Sequence, residues 1–360
     1  MATTIADVAR RAGVSTATVS RVLSGVGRAR PETHARVEAA ARALDFRPSD
    51  VARSLKRRST LTLGLIVTDI ENPYFPQLVK AVEDAAIAEG YAILLCNADE
   101  DADREASYLD LLVERRVDGL IVAASTIGMR QGEWLANAPL PAVLVNTSAP
   151  DVGLPTIASD NRGGGRSATD HLLELGHRQF GYLMPPPRNL DAPDRLAGVR
   201  DALASAGLAP DGSAAALAIG PGAPTVSGGE AAMLALLDRD PVPTGIIAYN
   251  DLMAIGAMRA IRRRGLRVPA DVSIVGFDDV AVAAYVEPAL TTLRQETVEM
   301  GRWAVATLTE RIRSERDDRS AADDHGPPRV ARASQRPAPE RRVVPVHLEV
   351  RGSTGPAPQR

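Results

Sequence analysis

The chain has 360 residues, 45% apolar and 24% charged, which is enough to bury large cores and excludes disorder along its whole length. Its longest apolar runs, such as 61–67, fall far short of the roughly 20 residues that span a bilayer. The single cysteine, Cys96, can form neither an internal disulfide nor a multi-thiolate metal site. The net charge of −3 hides a division: residues 1–60 carry 12 Lys and Arg against 5 Asp and Glu, and the remaining 300 carry 30 against 40. A basic head on an acidic body points the head toward a polyanion, and its apolar residues at helical spacing argue against a merely solvated tail. The opening stretch has no apolar run of the secretory type, so a cytoplasmic protein is expected.

Thr4 and Asp7 have capping-box spacing ahead of a helix whose inward face is Ile5, Val8, Ala9 and Ala12. Gly13 suits a tight turn. Ser15 can cap a second helix with Val19, Val22 and Leu23 inward and Thr16, Ala17, Ser20 and Arg21 outward. Pro31 opens a third helix striped by Val37, Ala40, Ala41 and Leu44. Two short helices around a Gly-containing turn describe a helix-turn-helix, whose second helix fits the major groove. Thr16, Ala17 and Arg21 then reach base edges, Arg21 as a fork on guanine and Ala17 or the Thr16 methyl against a thymine methyl. A trihelical module serving protein contacts is the alternative.

The stretch TIADVARRAGVSTATVSRVLSG resembles the opening of LacI/GalR-family repressors, and residues 48–56, PSDVARSLK, resemble that family's hinge helix. The resemblance implies a helix-turn-helix domain over 1–47 and a hinge and linker over 48–60. In it, Ser49, Arg53, Leu55 and Lys56 meet the minor groove, and Leu55 wedges between central base pairs of a bent duplex. Its other reading is an ordinary linker leucine, since so short a helix does not hold alone in water.

From Leu61 onward β-rich runs alternate with amphipathic stretches. Strands are expected at 61–69, 91–96, 118–124, 142–145, 180–184, 245–249 and 272–277, with helices near 75–89, 104–116, 164–175, 195–206, 225–237 and 252–264. Alternation of this kind implies parallel sheets covered on both faces, and two such series imply an α/β body of two lobes with ligand at the carboxyl ends of the strands. Runs such as 71–75 (ENPYF), 116–121 (RVDGLI), 160–164 (DNRGG) and 275–279 (VGFDD) resemble the periplasmic-binding-protein-like body of the same family. That family's architecture places 61–161 and 293–313 in lobe one, and 162–290 with a final strand at 343–351 in lobe two. Residues 314–342, charged and Pro-rich without apolar period, read as a disordered insertion.

The expected effector site comprises Asn72, Tyr74 and Phe75 after the first strand, Asp160 at the lobe crossing, and Arg195, Asn250 and Asp278 in lobe two. The resemblance implies that Arg195, Asn250 and Asp278 bind polar groups of a small effector. A guanidinium fork and a carboxylate suit vicinal hydroxyls; a helix cap or an interdomain ion pair is the alternative for each. Ala223 stands where many relatives place a stacking aromatic, leaving Tyr74, Phe75 and Tyr249 to stack on a sugar- or nucleoside-like effector.

Gly163–Gly165 lacks phosphate-loop spacing, the five histidines lack metal spacing, and no catalytic constellation or cofactor site is visible. A transporter's binding protein would lack the basic head, and a nucleotide-dependent enzyme would need a phosphate loop. The expectation is a homodimeric, sequence-specific repressor binding palindromic double-stranded DNA, with operator affinity set by the effector between its lobes and with no membrane partner.

Overall fold

Thr4 begins the first helix as the spacing predicts. In this computed structural model, which describes residues 3–23, 29–46, 59–123, 134–135, 137–147, 153–208, 217–325 and 340–359, its hydroxyl accepts from the Asp7 amide and the Asp7 carboxylate accepts from the Thr4 amide. The chain divides into two units, Met1–Leu61 and Thr62–Arg360. In the first, α1 (Ile5–Ala12) ends on Gly13 at φ 62°, a left-handed value glycine adopts without cost. Arg36, from α3 (Pro31–Ala43), donates through Nε and Nη2 to the Ala12 carbonyl, satisfying that helix end. The Ser15 hydroxyl accepts from the Thr18 amide at the start of α2 (Thr16–Leu23). Val8, Val19 and Val37, one from each helix, have no exposed surface and form the centre of a small core.

The second unit begins with β1 (Thr62–Val67), α4 (Tyr74–Ala88), β2 (Ala92–Asn97), α5 (Ala102–Glu114), β3 (Gly119–Ala123), β4 (Ala142–Val145) and β5 (Thr156–Ser159). The chain then crosses into α6 (Asn161–Glu174), β6 (Phe180–Met184), α7 (Ala192–Ser205), β7 (Leu217–Pro221), α8 (Val226–Leu237), β8 (Gly245–Ala248), α9 (Asp251–Arg263), β9 (Ser273–Asp278) and β10 (Thr291–Gln295). It returns through α10 (Thr297–His325), which packs on α4, β3 and β4, and ends with β11 (Arg341–Val344) and β12 (Val346–Glu349). One sheet runs β11-β5-β4-β3-β1-β2 and the other β12-β10-β9-β8-β6-β7. The paired strands are parallel except β10 with β12. The continuous apolar runs of β3, β4 and β8 are buried throughout, as strands covered on both faces must be.

Three expected boundaries differ. Residues 293–295 lie in the second sheet, so the return to lobe one falls after Gln295 rather than before Leu293. The final strand, expected whole at 343–351, breaks at Pro345, which has no N–H for a ladder. Its first half pairs with β5 and its second with β10, giving a third crossing between lobes. Within the expected insertion, α10 continues to His325 and β11 begins at Arg341, while 326–339 lie outside the described residues. The helical extension carries no apolar stripe, but a helix already docked on lobe one propagates at one hydrogen bond per residue. Arg313 and Arg316 fasten it to Glu89 and Asp118.

Gly165 lies inside α6. A Cβ there would stand 2.0 Å from the Arg195 carbonyl oxygen, so the glycine lets α6 lie directly on the backbone of α7 and fixes where Arg195 starts. The helical setting of Gly163–Gly165 agrees with the absence of phosphate-loop spacing.

Candidate functional site

In the first unit, Val19 and Val22 hold α2 to the core, which turns Thr16, Ala17 and Arg21 outward as exposed residues and leaves Ser20 half-buried beside them. Arg21 folds back, its Nε donating to the Ala17 carbonyl at 3.3 Å. The expected hinge residues Ser49, Arg53, Leu55 and Lys56 lie outside the described residues.

In the second unit, loops at the carboxyl ends of both sheets line one cleft. Thr68, Asp69, Asn72, Tyr74 and Phe75 follow β1, Glu100 follows β2, and Asn146 follows β4. From the other lobe come Asn189, Asp191 and Arg195 after β6, Tyr249 and Asn250 after β8, Asp278 ending β9, and Gln295 ending β10.

Arg195 organises the floor. Its Nη2 donates to Asp191 Oδ2 at 2.7 Å, Nε to Asn161 Oδ1 at 2.8 Å and Nη1 to the Tyr249 carbonyl at 2.5 Å. The guanidinium carbon lies 3.6 Å from the centre of the Phe277 ring and 4.6 Å from that of Tyr249, a cation between two π faces. Burial works against its charge, but Asp191 and the surrounding oxygens outweigh burial and hold its pKa above the ordinary value. The Tyr249 hydroxyl donates to Asp191 Oδ1 at 2.8 Å, so both Asp191 oxygens are occupied.

A second chain of bonds crosses between the lobes. Ser159 donates to Gln295 Oε1 at 2.6 Å, and Asn146 Nδ2 donates to the same oxygen and to the Tyr74 hydroxyl. Gln295 Nε2 in turn donates to Asp278 Oδ1 at 2.6 Å. Burial pushes the Asp278 carboxyl up to about 7, with Arg195 and the Gln295 bond pulling the other way. Asp278 sits at φ 124° and Asp279 at φ 54°, strained values for residues with a Cβ. Asp251 holds this corner by accepting from the Val280 amide at 2.9 Å and from Thr292, while Arg351 pairs with Asp279. Burial, and then the neighbouring Asp278 charge, raises the Asp251 pKa well above the ordinary carboxyl range.

Six of the seven expected effector residues line the cleft: Asn72, Tyr74, Phe75, Arg195, Asn250 and Asp278. Asp160 does not. Its Oδ1 accepts from the Gly163 amide at 2.8 Å and caps α6, the capping role that any Asp at a helix start is suited to. Asn250 lines the cleft and also caps α9 through the Met253 amide. At the wall of the expected aromatic, Pro224 rather than Ala223 reaches the cleft. Asp69, Glu100, Asn146, Asn189, Asp191 and Gln295 were not expected. The strand-end rule already pointed to Asn146, directly after a recognised strand, and to Asn189 and Asp191 after β6; Gln295 gave no such signal because the strand it ends was itself not recognised.

Asn189 Oδ1 is buried against the cleft without a hydrogen-bond partner among the described residues, a costly state for a carbonyl oxygen unless something else donates to it. Asp278, Asp69 and Glu100 line the same cleft, and their carboxyl groups are acceptors suited to ligand hydroxyls. No group of His, Cys, Asp or Glu side chains with metal-holding geometry occurs among the described residues, and no helix among them is long and apolar enough to cross a membrane.

Comparison with known proteins gives two family matches: residues 4–49 to bacterial regulatory proteins of the lacI family, and residues 169–354 to the periplasmic binding protein-like domain. The chain is 40% identical to the HTH-type transcriptional regulator GalR of Escherichia coli K12 over 301 residues, 84% of this chain and 87% of that protein. Its structure resembles that of the lac repressor dimer bound to operator and the anti-inducer ONPF, with TM-score 0.83, 27% identity, and coverage of 99% of this chain and 100% of the other. It also resembles a LacI family regulator from Enterococcus faecium with bound ribose, with TM-score 0.68, 29% identity, and coverage of 82% and 99%.

Proposed function

The chain belongs to the LacI family of bacterial regulatory proteins, and from that premise we propose how its two units work together. It is a DNA-binding transcriptional regulator and not an enzyme. Thr16, Ala17, Ser20 and Arg21 read base edges in the major groove, and Ser49, Arg53, Leu55 and Lys56 meet the minor groove, where Leu55 wedges a base step open. One reader per chain implies a homodimer on a palindromic site, acting in the cytoplasm. Asn72, Tyr74, Phe75, Arg195, Asn250 and Asp278, joined by Asn189, bind a small neutral polyhydroxyl effector between the lobes. The ligand acts through its differential affinity for two lobe arrangements, which brings the paired hinges together or draws them apart.

The observation that carries the effector reading is the Asn189 carbonyl oxygen, buried without a donor among the described residues, in the cleft that Asp278 also lines. The ribose-bound relative supports a sugar, and the wall at Pro224 without an aromatic ring disfavours a stacked base. Isothermal titration of the full chain with pentoses, hexoses, nucleosides and a sugar phosphate tests this. A neutral sugar is expected to bind, with at least tenfold weaker binding to Asn189→Leu. Binding by the sugar phosphate alone, or equal binding to Asn189→Leu, overturns the reading.

A further inference from the structure

Arg188 and Glu100 face each other from opposite lobes beside the cleft. Both Nε and Nη2 of Arg188 donate to Glu100 Oε2, at 2.8 and 2.5 Å. Glu100 lines the cleft and its side chain is only 18% exposed, while Arg188 is 52% exposed. The guanidinium fork closes on a single Glu100 oxygen.

Both partners stand on stiff supports. Arg188 follows three consecutive prolines, Pro185–Pro187, whose rings fix φ, and the Asn189 amide donates back to the Pro186 carbonyl at 3.1 Å. Glu100 sits in a left-handed corner with Asp99, at φ 53° and 58°. Its amide donates to the Thr68 carbonyl at 3.0 Å, Arg104 pairs with Asp99, and Asp101 caps α5 directly after it. An exposed ion pair usually contributes little because two long side chains must be immobilised. Here the backbone on each side is already held, so less freedom is lost when the pair forms.

We propose that Arg188 and Glu100 form a latch between the lobes that favours the closed arrangement of the cleft before any effector arrives, and so sets how readily the cleft opens to admit one. What the latch regulates rests on the effector reading above; the latch itself does not. Its contribution falls with ionic strength because Arg188 is half in solvent.

The test uses no ligand and no DNA. The full chain carries spin labels at Asp110→Cys and Arg200→Cys, one exposed site on each lobe, and is diluted into an excess of unlabelled chain so that distances within one chain are read by electron–electron resonance. Glu100→Gln and Arg188→Gln should each raise the ratio of long to short distances about two- to fivefold, the range of an exposed pair of good geometry. The exchange Glu100→Arg with Arg188→Glu should restore the original distribution. Molar salt should open the unmodified pair and leave the single variants almost unchanged. Identical distributions in all four chains, or a salt response as large in Arg188→Gln as in the original, would overturn the latch. The salt comparison stands even if one variant fails to fold, and neither result bears on whether a sugar binds.

Discussion

Arg195 shows how a residue chosen for its donors is held by its surroundings. Its side chain and that of Asp191 are each at most 5% exposed, so each charge depends on the other. Removing one partner of such a pair strands the other in the interior. Arg195→Met is expected to lower the unfolding free energy by about 3–5 kcal/mol in urea titration; a loss under 1 kcal/mol would mean that Tyr249 and water hold Asp191 unaided. Asp278 gives a pH signature. Its folded pKa, about 7, lies above the unfolded carboxyl value, so its contribution to stability is complete below the unfolded pKa and is lost as pH rises through 7. From about pH 4 to 8 the unliganded chain should therefore lose stability relative to Asp278→Asn, most of it below 7. A hydroxyl donating to the ionised carboxylate should bind more tightly across the same rise. Titrating both chains over this range checks both signs, and parallel curves would contradict them.

At the scale of elements, the contact of α6 with α7 carries the site. Gly165→Ala places a methyl 2.0 Å from the Arg195 carbonyl oxygen, where backbone cannot yield cheaply. It should cost about 1–3 kcal/mol and weaken effector binding together with stability; wild-type urea midpoint and affinity would show that the helices part freely. The elements best legible in the sequence were those with strong periodicity: the three helices of the first unit and the apolar strands β1, β3, β4, β6, β8 and β9. Thr156–Ser159, Leu217–Pro221 and Thr291–Gln295 were not recognised, because short strands rich in Thr, Ser, Gly and Pro carry neither an apolar run nor clean alternation. That omission misplaced the lobe crossing and hid Gln295. Asp160, expected at the cleft, caps α6 instead, and a carboxylate before a helix reads the same in sequence whether it caps the helix or faces a ligand. The α10 extension was missed because helix propagation from a docked segment leaves no mark on the side-chain pattern.

For the whole molecule, the three crossings at 159–161, 295–297 and 344–346 are where relative lobe motion must be absorbed. Gln295 stands at one of them, bonded to Ser159 and Asn146 on one side and Asp278 on the other. A ligand that engages Asp278 therefore acts on a residue already tied to the crossing. Gln295→Leu breaks that tie while leaving most of the Arg195 floor intact, and is expected to weaken the effect of ligand on DNA binding more than it weakens ligand binding; equal losses in both would place Gln295 in the binding surface alone.

The most direct measurement selects from a randomised double-stranded pool with the full chain, then titrates the enriched duplex with and without a sugar that the cleft binds. Enrichment of a palindromic sequence, and a change of tenfold or more in its Kd on saturation with the sugar, is the predicted result. A sugar whose binding is lost in Asn189→Leu but which leaves the Kd of the enriched duplex unchanged would contradict the claim that cleft occupancy governs the grip on DNA.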